Sequence, residues 1–427
     1  MRQWKKVSLA LALAGLLTGC GGGSDAPLLV TAATPAPAPT PAPTPIKFNQ
    51  LITFGDSLSD VGTYKVGSIA AVGGGQFTVN SPTAKNWTEL LAAKYNLPAP
   101  CAAQTGFASL IPGFPGATTV NNAACRNYAQ GSARVTNPFG PNSKAIQDAV
   151  AAGPGGLPAA GAAAPLGFTA LPVFNQINNH LNVAPGGVFL PQELVVILSG
   201  GNDVFLNLNG VFNAAAGGPG AVGAAVFAGW TQAQQAAVAA GGAPAFAAAQ
   251  TAAVQGMTKA GTELAGYIKT LIVAKGAKFV AVVNLPDVGQ TPFAQSLGPT
   301  NAGFVNQLAT TFNAAVASGL AGVPEVTIVD AYTQGRTQIA SPAAFGLTNV
   351  TDPACRTGAG TGNPLGTAPT ATDPPGGPSI TCTTASTLAG IDTSRYQFSD
   401  NVHLSPYGNQ LLADFVFNRL SAAGYPN

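Results

Sequence analysis

Ser57 stands in Phe54-Gly55-Asp56-Ser57-Leu58, where a short apolar run ends at a glycine turn. A hydroxyl exposed at such a turn can attack an acyl carbon, but only beside a base that takes its proton. The chain of 427 residues has two histidines, His180 and His403. His403 closes Asp400-Asn401-Val402-His403, so a carboxylate and an imidazole stand three residues apart in one loop. Asp400 can accept from the Nδ1 proton and leave Nε2 to take the serine proton. Asp330 and Asp392 are the rival carboxylates. His180 shares a helical pattern with Leu171, Phe174 and Ile177, and reads as structural or solvated.

Acyl transfer at Ser57 also needs donors for the oxygen that gains negative charge. Asn202 follows the expected strand 193–198 in Ser199-Gly200-Gly201-Asn202-Asp203, which puts it at a strand end like Ser57. Gly131, in Asn127-Tyr128-Ala129-Gln130-Gly131-Ser132, has no side chain to keep its N–H away from a ligand. Asp60 and Asp203 read as structural carboxylates that satisfy backbone N–H groups.

These residues need a scaffold that brings strand ends together. The spacing predicts β-strands over 49–54, 193–198, 278–284 and 325–330, separated by helical patterns over 84–95, 171–181, 246–275 and 304–320. Ser405-Pro406 opens a last helix, with a capping hydroxyl, an N1 proline and Leu412, Phe415, Val416 and Leu420 as its apolar face. Strands alternating with helices indicate an α/β domain round a parallel sheet, where ligands bind beyond the carboxyl ends of the strands. The Ala, Gly and Pro-rich stretches 139–166 and 206–245 read as insertions, and 341–394 as irregular.

Taken in order, Gly-Asp-Ser-Leu-Ser at 55–59, Asn-Tyr-Ala-Gln-Gly-Ser-Ala at 127–133, Gly-Gly-Asn-Asp at 200–203 and Asp-x-x-His at 400–403 resemble the four blocks of the GDSL, or SGNH, hydrolases. The resemblance covers nearly all of residues 48–424, and Asn284-Leu-Pro-Asp-Val-Gly is similar to a segment of the secreted esterase branch. It implies a flavodoxin-like three-layer αβα sandwich and ester hydrolysis through an acyl-serine. By position, Ser57 would be nucleophile and first oxyanion donor, Gly131 and Asn202 the other donors, and Asp400 and His403 the rest of the triad. Ser132 stands where the family usually has a small residue, often glycine, which leaves a backbone role at Gly131 intact. A carboxylesterase or lipase is the first reading. An acyltransferase using the same site, or an inactive surface-binding lipoprotein on the same fold, are its alternatives.

Composition bounds the partners. Only 8% of residues are charged, against about 25% in an average soluble domain. The formal charge of +2 offers too little basic surface for nucleic acid. Residues 1–19 read as a secretory signal, with Arg2, Lys5 and Lys6 before an apolar run too short to span a bilayer. Without them the charge is −1. Leu17-Thr18-Gly19-Cys20 resembles the bacterial lipobox, which implies acylation of Cys20, export, and a lipid anchor in the cell envelope, with the outer membrane as the expected site. Residues 20–46 form a Gly, Pro and Ala-rich tether, and 47–427 the hydrolase domain.

Acylation at Cys20 leaves four of the five cysteines, and the simplest of three connectivities pairs Cys101 with Cys125 and Cys355 with Cys382. With two histidines and no Cys-x-x-Cys, neither a metal nor a cofactor is expected. The expected partner is a small-molecule or lipid ester.

Overall fold

The computed structural model describes residues 46–151, 166–356, 378–387 and 390–426. The expected signal, Cys20 and nearly all of the tether lie outside the described residues, as do parts of the stretches 139–166 and 341–394.

In chain order the first elements are β1 (Gln50–Gly55), α1 (Gly67–Ala71), α2 (Trp87–Lys94), β2 (Gln104–Ser109), β3 (Ala117–Asn121), α3 (Lys144–Ala151), β4 (Leu166–Phe168) and α4 (Val173–Val183). There follow β5 (Glu193–Leu198), α5 (Gly201–Ala214), α6 (Gly218–Ala228), α7 (Gln232–Ala239), α8 (Gly242–Tyr267), β6 (Phe279–Val283) and α9 (Pro292–Ser296). The last are α10 (Pro299–Leu320), β7 (Val326–Val329), α11 (Ala331–Ala340) and α12 (Pro406–Ala422).

The four expected strands form one parallel sheet in the order β1-β5-β6-β7. Every residue of β5 is buried, which is why it reads from Leu194 to Leu198 as an unbroken apolar run rather than an alternation. Its side chains nonetheless separate by face. Leu194, Val196 and Leu198 join Trp87 and Leu91 of α2 and Leu412, Val416 and Leu420 of α12 in one core. Val195 and Ile197 join Ile177 of α4, Leu208 of α5, Leu264 of α8 and Phe312 of α10 in the other. The result is the expected three-layer α/β architecture.

The helix starts follow local chemistry. Asn86 caps α2 in a reciprocal box with Glu89, and Ser405 caps α12 by accepting from Gly408 N–H at 3.0 Å. The stretch 206–245, expected as an insertion, is helical: it continues α5, folds as α6 and α7 and enters α8. Two expectations are revised. A small antiparallel sheet, β3-β2-β4, stands beside the main one and is not anticipated by the spacing. On α4 the buried face carries Val173, Gln176, Ile177 and His180, while Phe174 is exposed, so the expected face is rotated. Both expected disulfides, Cys101–Cys125 and Cys355–Cys382, are formed.

Candidate active site

The end of β1 turns sharply at Gly55. Its φ is +150°, and a Cβ there would lie 2.1 Å from the Leu198 carbonyl oxygen of the neighbouring strand, so only glycine fits. The turn delivers Asp56 and Ser57 beyond the carboxyl edge of the sheet. Asp56 accepts from Leu58 N–H at 3.1 Å, and burial pushes its carboxyl up to about 7.

The loop before α12 brings His403 to the same edge. Its Nε2 lies 2.8 Å from Ser57 Oγ, and its Nδ1 lies 2.8 Å from Asp400 Oδ2. Asp400 Oδ1 accepts from Val402 N–H at 2.8 Å and His403 N–H at 2.7 Å, so the loop's own backbone fixes the carboxylate. Phe77 packs against the imidazole with ring centroids 5.0 Å apart. Burial opposes charge at Asp400, but the His403 charge and its hydrogen bonds outweigh it and hold the carboxyl well below its usual range. Burial likewise disfavours the His403 imidazolium, yet Asp400, and to a lesser extent Asp56, raise its pKa above the ordinary value.

The rival carboxylates are engaged elsewhere. Asp330 caps α11 through Thr333 N–H at 3.1 Å and accepts from Asn284 at 2.9 Å. Asp392 accepts from Ser394 N–H on the surface. His180 is fully buried among Phe54, Tyr128 and Phe189, and the structural reading holds for it.

Block 127–133 reaches the site by running alongside β1: Thr53 N–H donates to Arg126, and Tyr128 N–H to Thr53, at 3.0 and 2.8 Å. Here the structure departs from the expectation for Gly131. Its N–H donates to Asp60 Oδ2 at 2.9 Å, and its carbonyl accepts from Tyr64 OH at 2.8 Å. Its lack of a side chain serves packing, because a Cβ would meet the Phe77 ring at 2.2 Å. Asp60 also accepts from the N–H groups of Gly62 and Thr63, as its structural reading requires; burial pushes it up to about 6 against these bonds.

The next residue, Ser132, has φ +68° and lines the cleft with Ser57, Asn202 and His403. Among the described residues its N–H has no partner. Asn202, in the first turn of α5, donates one Nδ2 hydrogen to the Ala133 carbonyl at 2.8 Å, which leaves the second hydrogen for the cleft. Sequence reasoning leaves two supporting residues unnoticed. Arg134 pairs with Asp203 at 2.9 Å, tying this block to α5. Ser379 donates to Asp400. Neither carries a spacing signal.

The cleft has a volume of about 570 Å³. Its apolar lining includes Phe205 and Phe212 of α5, with Phe293 packed edge-on against Phe205 at 5.4 Å, and the Phe77–Phe168 pair; among the described residues, His403 is its sole titratable lining group apart from the hydroxyls. No group of three or more His, Cys, Asp or Glu among the described residues is arranged to hold a metal ion.

A serine, an imidazole and a carboxylate in hydrogen-bonded series, with a buried amide beside them at the edge of a parallel sheet, are the geometry of a serine hydrolase site on an α/β fold. The family model for GDSL-like lipase/acylhydrolase matches residues 51–416, and the chain belongs to that family. No curated protein matches the chain.

Proposed function

We propose that this acylhydrolase cleaves carboxylic esters of neutral, apolar acyl groups through an acyl-serine intermediate. The series Ser57 Oγ, His403 Nε2, His403 Nδ1, Asp400 Oδ2, with both gaps at 2.8 Å, carries the reading. Ser57 Oγ attacks the carbonyl carbon while its proton passes to His403 Nε2. Asp400 holds the resulting imidazolium. The oxyanion is received by Ser57 N–H, Asn202 Nδ2–H and, in place of Gly131, the N–H of Ser132. Collapse breaks the ester C–O bond, and the departing alkoxide takes the proton from Nε2. Water then attacks the acyl-serine by the same route, releasing the acid and restoring Ser57.

The apolar lining supports the choice of acyl group. Asn202, Phe205, Asn209 and Phe212 line the cleft from α5 at a spacing of three or four residues, which puts them on one helix face. Ten residues at the helical rise give a track of roughly 15 Å leading away from the oxyanion position. The test is a panel of p-nitrophenyl esters from acetyl to decanoyl, run beside a fluorophosphonate probe. Labelling of the wild type and not of Ser57→Ala, with kcat/KM rising along the panel, is expected. Undiminished hydrolysis by purified Ser57→Ala would sink the assignment. A dominant ester product when a little acceptor alcohol is added would favour acyl transfer over hydrolysis.

Residues 1–20 support a further part of the proposal: export, acylation at Cys20, and attachment to the bacterial envelope at its outer membrane. Cys20→Ser is expected to move the protein from the membrane fraction to the soluble one. Unchanged sedimentation with membranes would argue against the anchor.

A further inference from the structure

Asp400 is held from two directions. Its Oδ1 is fixed by the N–H groups of its own loop, Val402 and His403. Its Oδ2, the oxygen at 2.8 Å from His403 Nδ1, takes its other donors from a distant segment. Ser379 Oγ donates to Oδ2 at 2.5 Å and Ser379 N–H donates to it at 3.1 Å. The same hydroxyl lies 3.3 Å from His403 Nδ1. Ser379 is 1% exposed, so no solvent competes for these bonds.

The segment that delivers Ser379 is closed onto the catalytic loop. Cys382, three residues further on, is bonded to Cys355. Cys355 N–H in turn donates at 2.7 Å to the carbonyl of Ser399, the residue before Asp400. From the other side, Asn80 Nδ2 lies 2.9 Å from the carbonyl oxygens of both Ser379 and Cys382. Gly75 N–H donates to the Ile380 carbonyl at 2.9 Å. Ser379 is therefore fixed by a disulfide and by buried hydrogen bonds that do not depend on Asp400.

We infer that Ser379 is a positioning residue for the Asp400–His403 pair, a fourth member of the hydrogen-bond series that the Cys355–Cys382 segment supplies. The inference rests on the acyl-serine reading above. A hydroxyl donating to a carboxylate makes a short, charge-assisted bond and draws charge from the oxygen it meets. At Oδ2 this has two effects. It fixes the rotation of the carboxylate, so that Oδ2 faces Nδ1 rather than solvent. It also moderates the pull of Asp400 on the imidazolium, so that His403 still releases its proton within the working pH range. The titratable groups facing His403 are Asp400 from its own loop and Asp56 from the turn after β1. Phe77 contributes only its ring. A change at Ser379 leaves Asp56 and Phe77 in place.

The test measures kcat and KM for p-nitrophenyl butyrate from pH 5 to 9, using full-length wild type, Ser379→Ala, Ser379→Thr and Ser379→Val. Removing the donor should lower kcat about tenfold with KM nearly unchanged, the scale of one hydrogen bond to a charged group. The acid limb of the profile should move to higher pH, because an undiluted Asp400 holds the imidazolium more tightly. Thr and Val have nearly the same shape and differ in the hydroxyl, so Thr should resemble wild type and Val should resemble Ala. That comparison stands even if Ser379→Ala folds poorly. Equal profiles for Thr and Val, or a loss uniform across pH that Thr does not restore, would overturn the role of Ser379. Activity surviving in Ser57→Ala would instead overturn the acyl-serine reading, so the two failures are distinct.

Discussion

Arg134 Nε lies 2.9 Å from Asp203 Oδ1, and the two side chains are 5% and 3% exposed. The guanidinium also donates to the carbonyls of Phe227 and Ala228 at 2.8 and 3.0 Å, and Asp203 Oδ2 accepts from Val135 N–H at 3.1 Å. One pair thus joins the block carrying Ser132 to the helix carrying Asn202, and to the end of α6. Removing one partner of a buried pair leaves the other charge uncompensated, which costs about 3–5 kcal/mol. Arg134→Met should lose stability on that scale in denaturant unfolding. The double variant Arg134→Met with Asp203→Asn should regain part of it, because no bare charge remains. A loss below about 1 kcal/mol in the single variant would show that the pair is not the joint between these elements.

The oxyanion site gives a sharper test, since Gly131 and Ser132 are adjacent and make opposite predictions. Replacing a residue by its α-hydroxy acid removes the backbone N–H and keeps the side chain. At Ser132 this should lower kcat by roughly 10²- to 10³-fold, as should Asn202→Ala, the scale of one oxyanion donor. At Gly131 it removes the bond to Asp60, so stability should fall while kcat changes little. The reverse pattern would return the donor to Gly131.

That pair of neighbours shows what the sequence makes legible. Ser57, Asn202, Asp400 and His403 can be read because each follows a strand or precedes a helix, and strand ends of a parallel sheet converge whatever the loops do. Gly131 reads as a donor from its missing side chain, yet the same absence serves the Phe77 ring, and composition cannot separate the two uses. The helices α6 and α7 are hidden because their Ala-rich sequences show no apolar period; the turn between them is tied to α5 by contacts such as Trp230 Nε1 donating to Asn207 Oδ1 at 2.7 Å. Strands β2 and β3 are short and pair over a register shift, so no alternation announces them. Ser379 reaches Asp400 through a closed segment 21 residues away, and a lone serine in an irregular stretch carries no mark of that.

The track along α5 makes a prediction about chain length. If acyl carbons lie along Phe205 and then Phe212, each added methylene should raise kcat/KM about fourfold until the track is filled, from roughly 0.8 kcal/mol per buried methylene. Phe212 is 41% exposed and stands at the outer end of the track. Phe212→Ala should therefore leave acetyl and butyryl esters unaffected and reduce the gain for the longest chains. Phe205→Ala, nearer Ser57, should reduce turnover of all but the shortest. A uniform loss across the panel in Phe212→Ala would place the acyl group elsewhere in the cleft.

His180 ties stability to pH. Its two ring nitrogens have no hydrogen-bond partner among the described residues, and burial, with Arg126 adding to it, lowers its pKa from 6.5 to about 4. Between those values the unfolded chain binds the proton and the folded chain does not. The linked stability is therefore lost as pH falls from 6.5, and the loss is complete below about 4. His180→Phe keeps an aromatic ring against Phe54, Tyr128 and Phe189 and removes the titration. Any steric cost of the larger ring is independent of pH, and His403 titrates alike in both proteins. The difference in melting temperature between the variant and wild type should accordingly move in the variant's favour by several degrees as pH is lowered from 7.5 to 4.5, at about 2–4 °C per kcal/mol for a large domain. A difference that stays constant over that range would mean that the folded chain protonates His180 as readily as the unfolded one does, and that its aromatic enclosure imposes no cost on the charge.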